Sequence, residues 1–470
     1  MGIFKAYDIR GKFPEEINET VAYDVSEILP EIFDFDCVVI AHDGRGSSPK
    51  IAEAMCYSLL KNNKKVIMLG LTTTPLLYFA TGRLDVDLGI MITASHNPRE
   101  FNGIKFCRRN AVPVSYDDGI NAIEKKFNDS SRTLSFDDVK KEFFSDFSGR
   151  LSNLRYENLV DEYANFVVSS FSGNLNRENM RKLKVAIDAG NGVGGYVLSK
   201  ILGRIDFVSV LPLFFEVDGD FPNHQANPLE VDTLSYLSEA VKKNGCDLGI
   251  AIDGDGDRIG AVDENGDFVQ PDLLSAFFSD HILSDMKEKG NLSDKSTIVY
   301  DLRSTMAVKE VIESYGANAI KSRVGHSYIK KIMRDNNAVF AGELSGHFYF
   351  RFNSKMYFDS GIKALLELLV FFSGSSEKFS ESIKRYRKYF QSGEINFDVS
   401  DKNKVISEVK NHFKELESED LDGLSVYGNS FWFNLRMSNT ENKLRLNLEA
   451  DTKDKLDLMV SEVSKIILGN

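Results

Sequence analysis

What the chain has little of narrows its class first. Cysteine is scarce: Cys37, Cys56, Cys107 and Cys246 are the only four, and none sit in C-x-x-C spacing. That excludes a disulfide framework, and the expectation is reduced thiols in a cytoplasmic protein. No apolar run reaches the ~18 residues of a membrane span, so no membrane partner is expected. Positive charge is short: 57 Lys and Arg face 70 Asp and Glu, a net of −13. So acidic a chain is not expected to bind nucleic acid or an anionic membrane surface. The opening Met1-Gly-Ile-Phe-Lys-Ala is charged by Lys5 and is expected not to be a signal peptide; Ala6 also breaks the myristoylation pattern.

What is there is a repeated strand-and-helix grammar. At 470 residues the chain exceeds one hydrophobic core, and roughly three or four domains are expected. Residues 38–43, Val-Val-Ile-Ala-His-Asp, read as a buried strand, followed by helical periodicity from Ile51 to Leu60 and a second strand at 65–69. Leu88 to Ile92 is a third, ending in Thr93-Ala-Ser-His-Asn-Pro98. The pattern returns at Lys184–Asp188, within Phe207–Phe215 and at Cys246–Asp253. It returns again at Thr297–Asp301 and in Ala338–His347. Asp-Leu-Gly-Ile-Ala-Ile at 247–252 is almost a copy of Asp-Leu-Gly-Ile-Met-Ile at 87–92. Repeats of this length are too long for a solenoid and read as three related α/β domains. Ser373-Gly-Ser-Ser376 reads as a linker. Beyond it, strands at Ile395–Val399 and Phe431–Met437 and helices at Val405–Leu416 and Leu456–Ile467 suggest a smaller α+β domain. The expected fold is therefore three related α/β domains with mixed, mostly parallel sheets, plus a C-terminal α+β domain. The expected boundaries are 1–150, 151–256, 257–372 and 373–470.

Several loops carry chemistry. Ser95-His96-Asn97 follows a strand end, where ligands bind in open α/β sheets. Alone it is ordinary turn chemistry, and no G-x-S-x-G elbow accompanies it, so a hydrolytic triad is not indicated. Asp253-Gly-Asp-Gly-Asp-Arg258 sets three carboxylates at alternate positions in a glycine turn, suited to one hard cation such as Mg²⁺. An EF-hand is the rival, with Glu264 at the twelfth position, but Arg258 stands where that loop needs glycine. Gly190-Asn-Gly-Val-Gly-Gly195, with Glu216 further on, matches a dinucleotide fingerprint and keeps an oxidoreductase open. Gly342-Glu-Leu-Ser-Gly-His347 offers an acceptor, a hydroxyl and an imidazole for sugar hydroxyls. Arg323-Val-Gly-His-Ser327 with Lys330, and Arg436-Met-Ser-Asn-Thr440, group cations with hydroxyls in loops, which suits phosphate.

Together these motifs resemble the α-D-phosphohexomutases. Thr93–Pro98, Asp253–Arg258, Gly342–His347 and Arg436–Glu441 occur in that family's order, about one per domain. Phe4-Lys-Ala-Tyr-Asp-Ile-Arg-Gly11 and Phe214–His224 look like its phosphomannomutase and phosphomannomutase/phosphoglucomutase branch. The resemblance implies four domains around a central cleft. It implies a phosphoserine at Ser95, and Mg²⁺ held by Ser95, Asp253, Asp255 and Asp257. Arg10, His96, Lys105 and Arg258 would surround the reacting phosphoryl group, with Lys105 as general acid/base. Glu343 and Ser345 would read sugar hydroxyls, with Tyr7, Arg303, His326 and His347 lining the cleft. Arg436, Ser438, Asn439 and Thr440 would hold the other phosphate. Two positions depart from the family: Asn442 replaces a Pro, and Arg303 a frequent Lys.

The implied activity interconverts hexose 6-phosphate and hexose 1-phosphate, mannose first and glucose second. A hexose 1,6-bisphosphate would be intermediate and activator. Small sugar phosphates would be the partners, and the protein a monomer or weak dimer. A serine-linked phosphatase, a dinucleotide-dependent oxidoreductase and a non-catalytic sugar-phosphate binder are the alternatives. Steady phosphate release, nicotinamide binding, or affinity without phosphate on Ser95 would distinguish them.

Overall fold

The structure is a computed structural model and describes residues 2–130, 135–138, 140–141, 151–172, 180–437 and 443–469. It falls into two compact units, Met1–Val269 with Ser345–Ser380, and Gln270–Leu344 with Glu381–Asn470. Among the described residues no helix is long and apolar enough to cross a membrane.

In the first unit the two near-copies occupy the same place in two sheets. Strand Leu88–Ile92 lies between Cys37–His42, its parallel partner, and Phe101–Arg108, its antiparallel one. Strand Leu248–Ile252 lies between Leu183–Asp188, parallel, and Ile259–Asp263, antiparallel. Each sheet extends by a further parallel strand, Lys65–Leu71 and Val208–Leu213 respectively. Every residue of Leu88–Ile92 and Leu248–Ile252 is buried, as expected for strands covered on both faces. The sheets are mixed because each chemistry-bearing loop doubles back into an antiparallel neighbour. That return places Lys105 opposite Met91 and Gly103 opposite Arg10 of strand Ile9–Lys12. The helix expected over 51–60 runs Ser48–Lys61, with Pro49 near its start, where a missing N–H costs nothing.

The linker expected at 373–376 is partly helix. Ser373 and Gly374 close helix Gly361–Gly374, capped by Ser360 and buried along Leu365, Leu368, Leu369 and Phe372. Packing of that apolar stripe outweighs the turn preference of Ser and Gly.

In the second unit, Thr297–Asp301 runs parallel to both Asn318–Ser322 and Phe340–Gly342. The C-terminal sheet is antiparallel throughout, in the order Phe390–Phe397, Leu444–Ala450, Phe431–Met437, Leu424–Tyr427, Glu417–Glu419. Helices Lys402–His412 and Lys453–Leu468 contribute Val409, Met459 and Val463 to its core of Leu435, Leu446 and Leu448. The first of these helices stops before the expected Leu416. Phe413 leaves the helix and packs 5.2 Å from the Phe433 ring, and the chain then turns into Glu417–Glu419.

Glu449 is buried on the last strand. It accepts from Trp432 Nε1 and the Met306 N–H, both at 2.9 Å. Burial pushes its carboxyl up to about 6, against those hydrogen bonds. A carboxyl that is harder to ionise when folded costs stability as pH rises. The cost grows between its unfolded value near ~4.3 and ~6 and totals about 2 kcal/mol. Glu449→Gln is expected to remove that slope. Urea midpoints at pH 4.5 and 6.5 check it, and an equal pH dependence in both proteins would contradict it.

Candidate active site

Ser95 stands just past the end of Leu88–Ile92, with φ of 51° in the left-handed region. A non-glycine residue there costs energy and persists only if its surroundings hold it. Thr93 Oγ1 accepts the Ser95 N–H at 2.8 Å. The main clamp is Arg45, which is 1% exposed. Its guanidinium donates to the carbonyls of Ser95 (2.9 Å), Asn97 (2.7 Å), Pro98 (2.7 Å) and Phe101 (3.1 Å). Its Nε meets Asp43 Oδ2 at 3.1 Å. Only a planar fork serves so many acceptors at once. Arg45→Lys keeps the charge but strands several buried carbonyls, and is expected to cost about 3 kcal/mol. A urea midpoint equal to wild type would contradict this clamp.

The acidic loop meets Ser95 from the second sheet. Asp253 Oδ1 folds back to accept the N–H groups of Gly256, Asp257 and Arg258 at 3.0–3.1 Å. Its Oδ2 accepts from Ser95 Oγ at 2.8 Å. The approach is tight: a Cβ on Gly254 would lie 2.6 Å from the Ser95 carbonyl oxygen, so glycine is required. Asp255 Oδ2 accepts from Thr74 Oγ1 at 2.7 Å and from Lys105 Nζ at 2.8 Å. Asp257 Oδ2 accepts from the same ammonium at 2.9 Å.

The electrostatics follow from three buried carboxylates whose oxygens lie within 4.8 Å of one another. Burial, then Asp257 and Asp255, push the Asp253 carboxyl well above its ordinary value. Burial and Asp257 also push Asp255 up, but Lys105 and Thr74 outweigh them and hold it below the usual range. Burial opposes ionisation of Asp257 as well, and Lys105, His347 and Arg258 hold it well below. Burial would lower the Lys105 ammonium, yet the two carboxylates beside it keep it firmly protonated. One lysine does not satisfy the cluster: Asp255 Oδ1 and Asp257 Oδ1 are buried without a hydrogen-bond partner among the described residues. Hard oxygen donors, three carboxylates packed together and two buried oxygens without a hydrogen bond, Asp257 Oδ1 facing the longer ion pairs of His347 and Arg258, fit a divalent cation such as Mg²⁺.

Other expected residues gather here. Arg258 Nε donates to His347 Nε2 at 3.1 Å, which leaves His347 Nδ1 to donate to Ser345 Oγ at 2.8 Å. Arg10 is paired with Asp8 and donates to Asn97 Oδ1 at 2.7 Å. His96 is half-buried, and its Nδ1 has no hydrogen-bond partner among the described residues. Burial, then Arg258 and Arg10, hold that imidazole well below its ordinary pKa, so it is neutral. Tyr7 is partly buried on the segment leading to Arg10.

The second unit brings together another group. Arg303 meets Asp301 Oδ2 at 2.6 Å and Glu343 Oε1 at 3.5 Å. Arg436 is paired with Glu394 at 2.9 Å, and His326 opens helix His326–Asp335 after Gly325. Ser438, Asn439, Thr440 and Asn442 lie outside the described residues.

Sequence reasoning passed over Arg45 and Thr74. A usable signal was present: Asp43, Asp188 and Asp301 each close the first strand of a repeat. Each Oδ1 accepts the N–H two residues on, from Arg45 (3.0 Å), Gly190 (2.8 Å) and Arg303 (2.6 Å).

Known proteins match the chain along nearly its whole length. Four models described as phosphoglucomutase/phosphomannomutase match in order: α/β/α domain I at residues 1–133, domain II at 161–266, domain III at 274–389, and the C-terminal domain at 394–466. A phosphomannomutase from Methanocaldococcus jannaschii is 40% identical, covering 99% of this chain and 97% of its own length. A phosphomannomutase from Vibrio cholerae is 34% identical, covering 99% and 98%. The crystal structure of a phosphoglucomutase/phosphomannomutase family protein from Burkholderia thailandensis superposes with a TM-score of 0.82 at 26% identity, covering 99% of this chain and 96% of that one.

Proposed function

The chain belongs to the phosphoglucomutase/phosphomannomutase family of α-D-phosphohexomutases, isomerases that move phosphate on a hexose, and from that premise we propose how it does so. Ser95 carries the phosphoryl group. The observation that carries this reading is the Ser95 Oγ–Asp253 Oδ2 contact of 2.8 Å beside Lys105, since it aims a hydroxyl at a cation-binding cluster. Phosphoryl transfer asks for positioning and charge neutralisation more than for covalent help.

Phosphorylated Ser95 gives its phosphoryl group to a hexose phosphate: the Oγ–P bond breaks and a P–O bond to the sugar forms. The product is a hexose 1,6-bisphosphate. It turns over, and its other phosphate returns to Ser95. The Lys105 ammonium gives its proton to the leaving Ser95 Oγ and recovers one from the attacking sugar hydroxyl, Arg10 and Arg258 offset phosphoryl charge, and the neutral His96 contacts the phosphoryl group. Asp253, Asp255 and Asp257, with a phosphate oxygen on Ser95, would hold Mg²⁺, which when bound neutralises charge on the transferring group. Glu343, Ser345, Arg303, His326, His347 and Tyr7 read the sugar, and Arg436, Ser438, Asn439 and Thr440 hold the resting phosphate. Mannose is the favoured hexose, supported by the names of the relatives.

The test is a mutase assay on mannose, glucose and glucosamine 1-phosphates with Mg²⁺ and a trace of hexose 1,6-bisphosphate. Conversion to 6-phosphate is expected, fastest for mannose. Steady release of inorganic phosphate without isomerisation would replace this reading with a phosphatase.

A further inference from the structure

The Gly190–Gly195 turn packs under the acidic loop. A Cβ on Gly192 would sit 2.7 Å from Gly254 Cα, so its glycine serves close backbone approach without any nucleotide. Asp188 precedes the turn, and its Oδ2 meets His224 Nε2 at 3.0 Å, with both side chains buried. His224 Nδ1 lies 2.9 Å from the Gln225 carbonyl oxygen. The Gln225 side chain then reaches across to the Ser95 loop, where its Nε2 donates to the His96 carbonyl at 2.6 Å. From the same segment, the Phe221 ring lies 5.0 Å from the Arg45 guanidinium carbon.

These contacts complete a pattern. Arg45 takes the carbonyls of Ser95, Asn97 and Pro98. The one it leaves in that run belongs to His96, and Gln225 takes it. The His96–Asn97 peptide is therefore oriented from the second sheet's domain, the domain that carries the acidic loop. That plane carries the backbone from which the His96 ring and the Asn97 amide project, and the amide oxygen accepts from Arg10.

We propose that Gln225, anchored by the Asp188–His224 pair, is a positioning residue for phosphoryl transfer, holding the Ser95 loop in register with the acidic loop. The role rests on Ser95 as the phosphoryl carrier. It acts on the rate of transfer more than on sugar binding, because Gln225 touches loop backbone.

Single-turnover labelling of the unphosphorylated enzyme with ³²P-hexose 1,6-bisphosphate tests it. Gln225→Leu keeps the bulk and removes the donor. Gln225→Glu keeps the shape and places an acceptor against a carbonyl. Both are expected to label Ser95 about tenfold more slowly or worse, since small misplacements cost this much or more. KM for the sugar phosphate should stay within about twofold and the thermal midpoint close to wild type. Labelling at the wild-type rate in both variants would overturn the role. So would slow labelling matched by an equal loss of folded protein. If the wild-type enzyme takes no label, the phosphoserine reading itself falls, and this role with it.

Discussion

Ser95→Ala is expected to lower multiple-turnover mutase activity by at least about a thousandfold, the scale for removing a covalent nucleophile. Among the described residues, Ser95 Oγ is the hydroxyl 2.8 Å from Asp253 Oδ2. Thr74 Oγ1 also reaches the cluster but is committed to Asp255 Oδ2 at 2.7 Å. The variant should still fold, because Arg45 grips the loop through backbone carbonyls that the substitution leaves in place. Alanine at φ 51° adds some strain of its own, so the thermal midpoint is measured alongside activity. Loss of activity with a retained midpoint is the expected pair of results. Activity within tenfold of wild type would contradict it.

Asp255→Asn is expected to cut kcat about a hundredfold or more, as removal of a directed charge at a transferring group does. The same change should weaken the dependence on Mg²⁺. Asp255 offers a buried oxygen without a hydrogen-bond partner, while its other oxygen positions Lys105 at 2.8 Å. Asparagine keeps the shape and removes the charge on which both depend. Binding to the folded state raises stability by mass action, so Mg²⁺ should raise the thermal midpoint of the wild-type protein and do so far less in the variant. An equal Mg²⁺ response in both would remove Asp255 from the ligand set.

Reading the sequence reached the fold and much of the candidate site for a physical reason. Fully buried strands keep a plain apolar signature, and the Leu-Gly-Ile-x-Ile pair marks the same sheet position twice. The Gly-rich acidic run is legible because three close carboxylates repel one another unless positive charge joins them. What stayed hidden depends on long-range contact. Arg45 sits between two glycines with no local sign of its partners, yet it clamps carbonyls fifty or more residues away. Thr74 meets Asp255 across 181 residues. The helix expected to reach Leu416 stopped early because Phe413 found a better contact on the sheet, which local periodicity does not encode. The Gly190–Gly195 motif leaves a dinucleotide alternative open in the sequence because close packing and nucleotide binding ask for the same residue.

The central claim is that Ser95 is the site of phosphoryl exchange. Mass analysis of the peptide containing Ser95, taken after incubation with Mg²⁺ and hexose 1,6-bisphosphate and again after removing the bisphosphate and chasing with excess hexose monophosphate, tests it most directly. One phosphoryl group on Ser95 that is lost to the sugar in the chase is the expected result. A Ser95 that never carries phosphate while the enzyme still isomerises hexose phosphates would contradict the account.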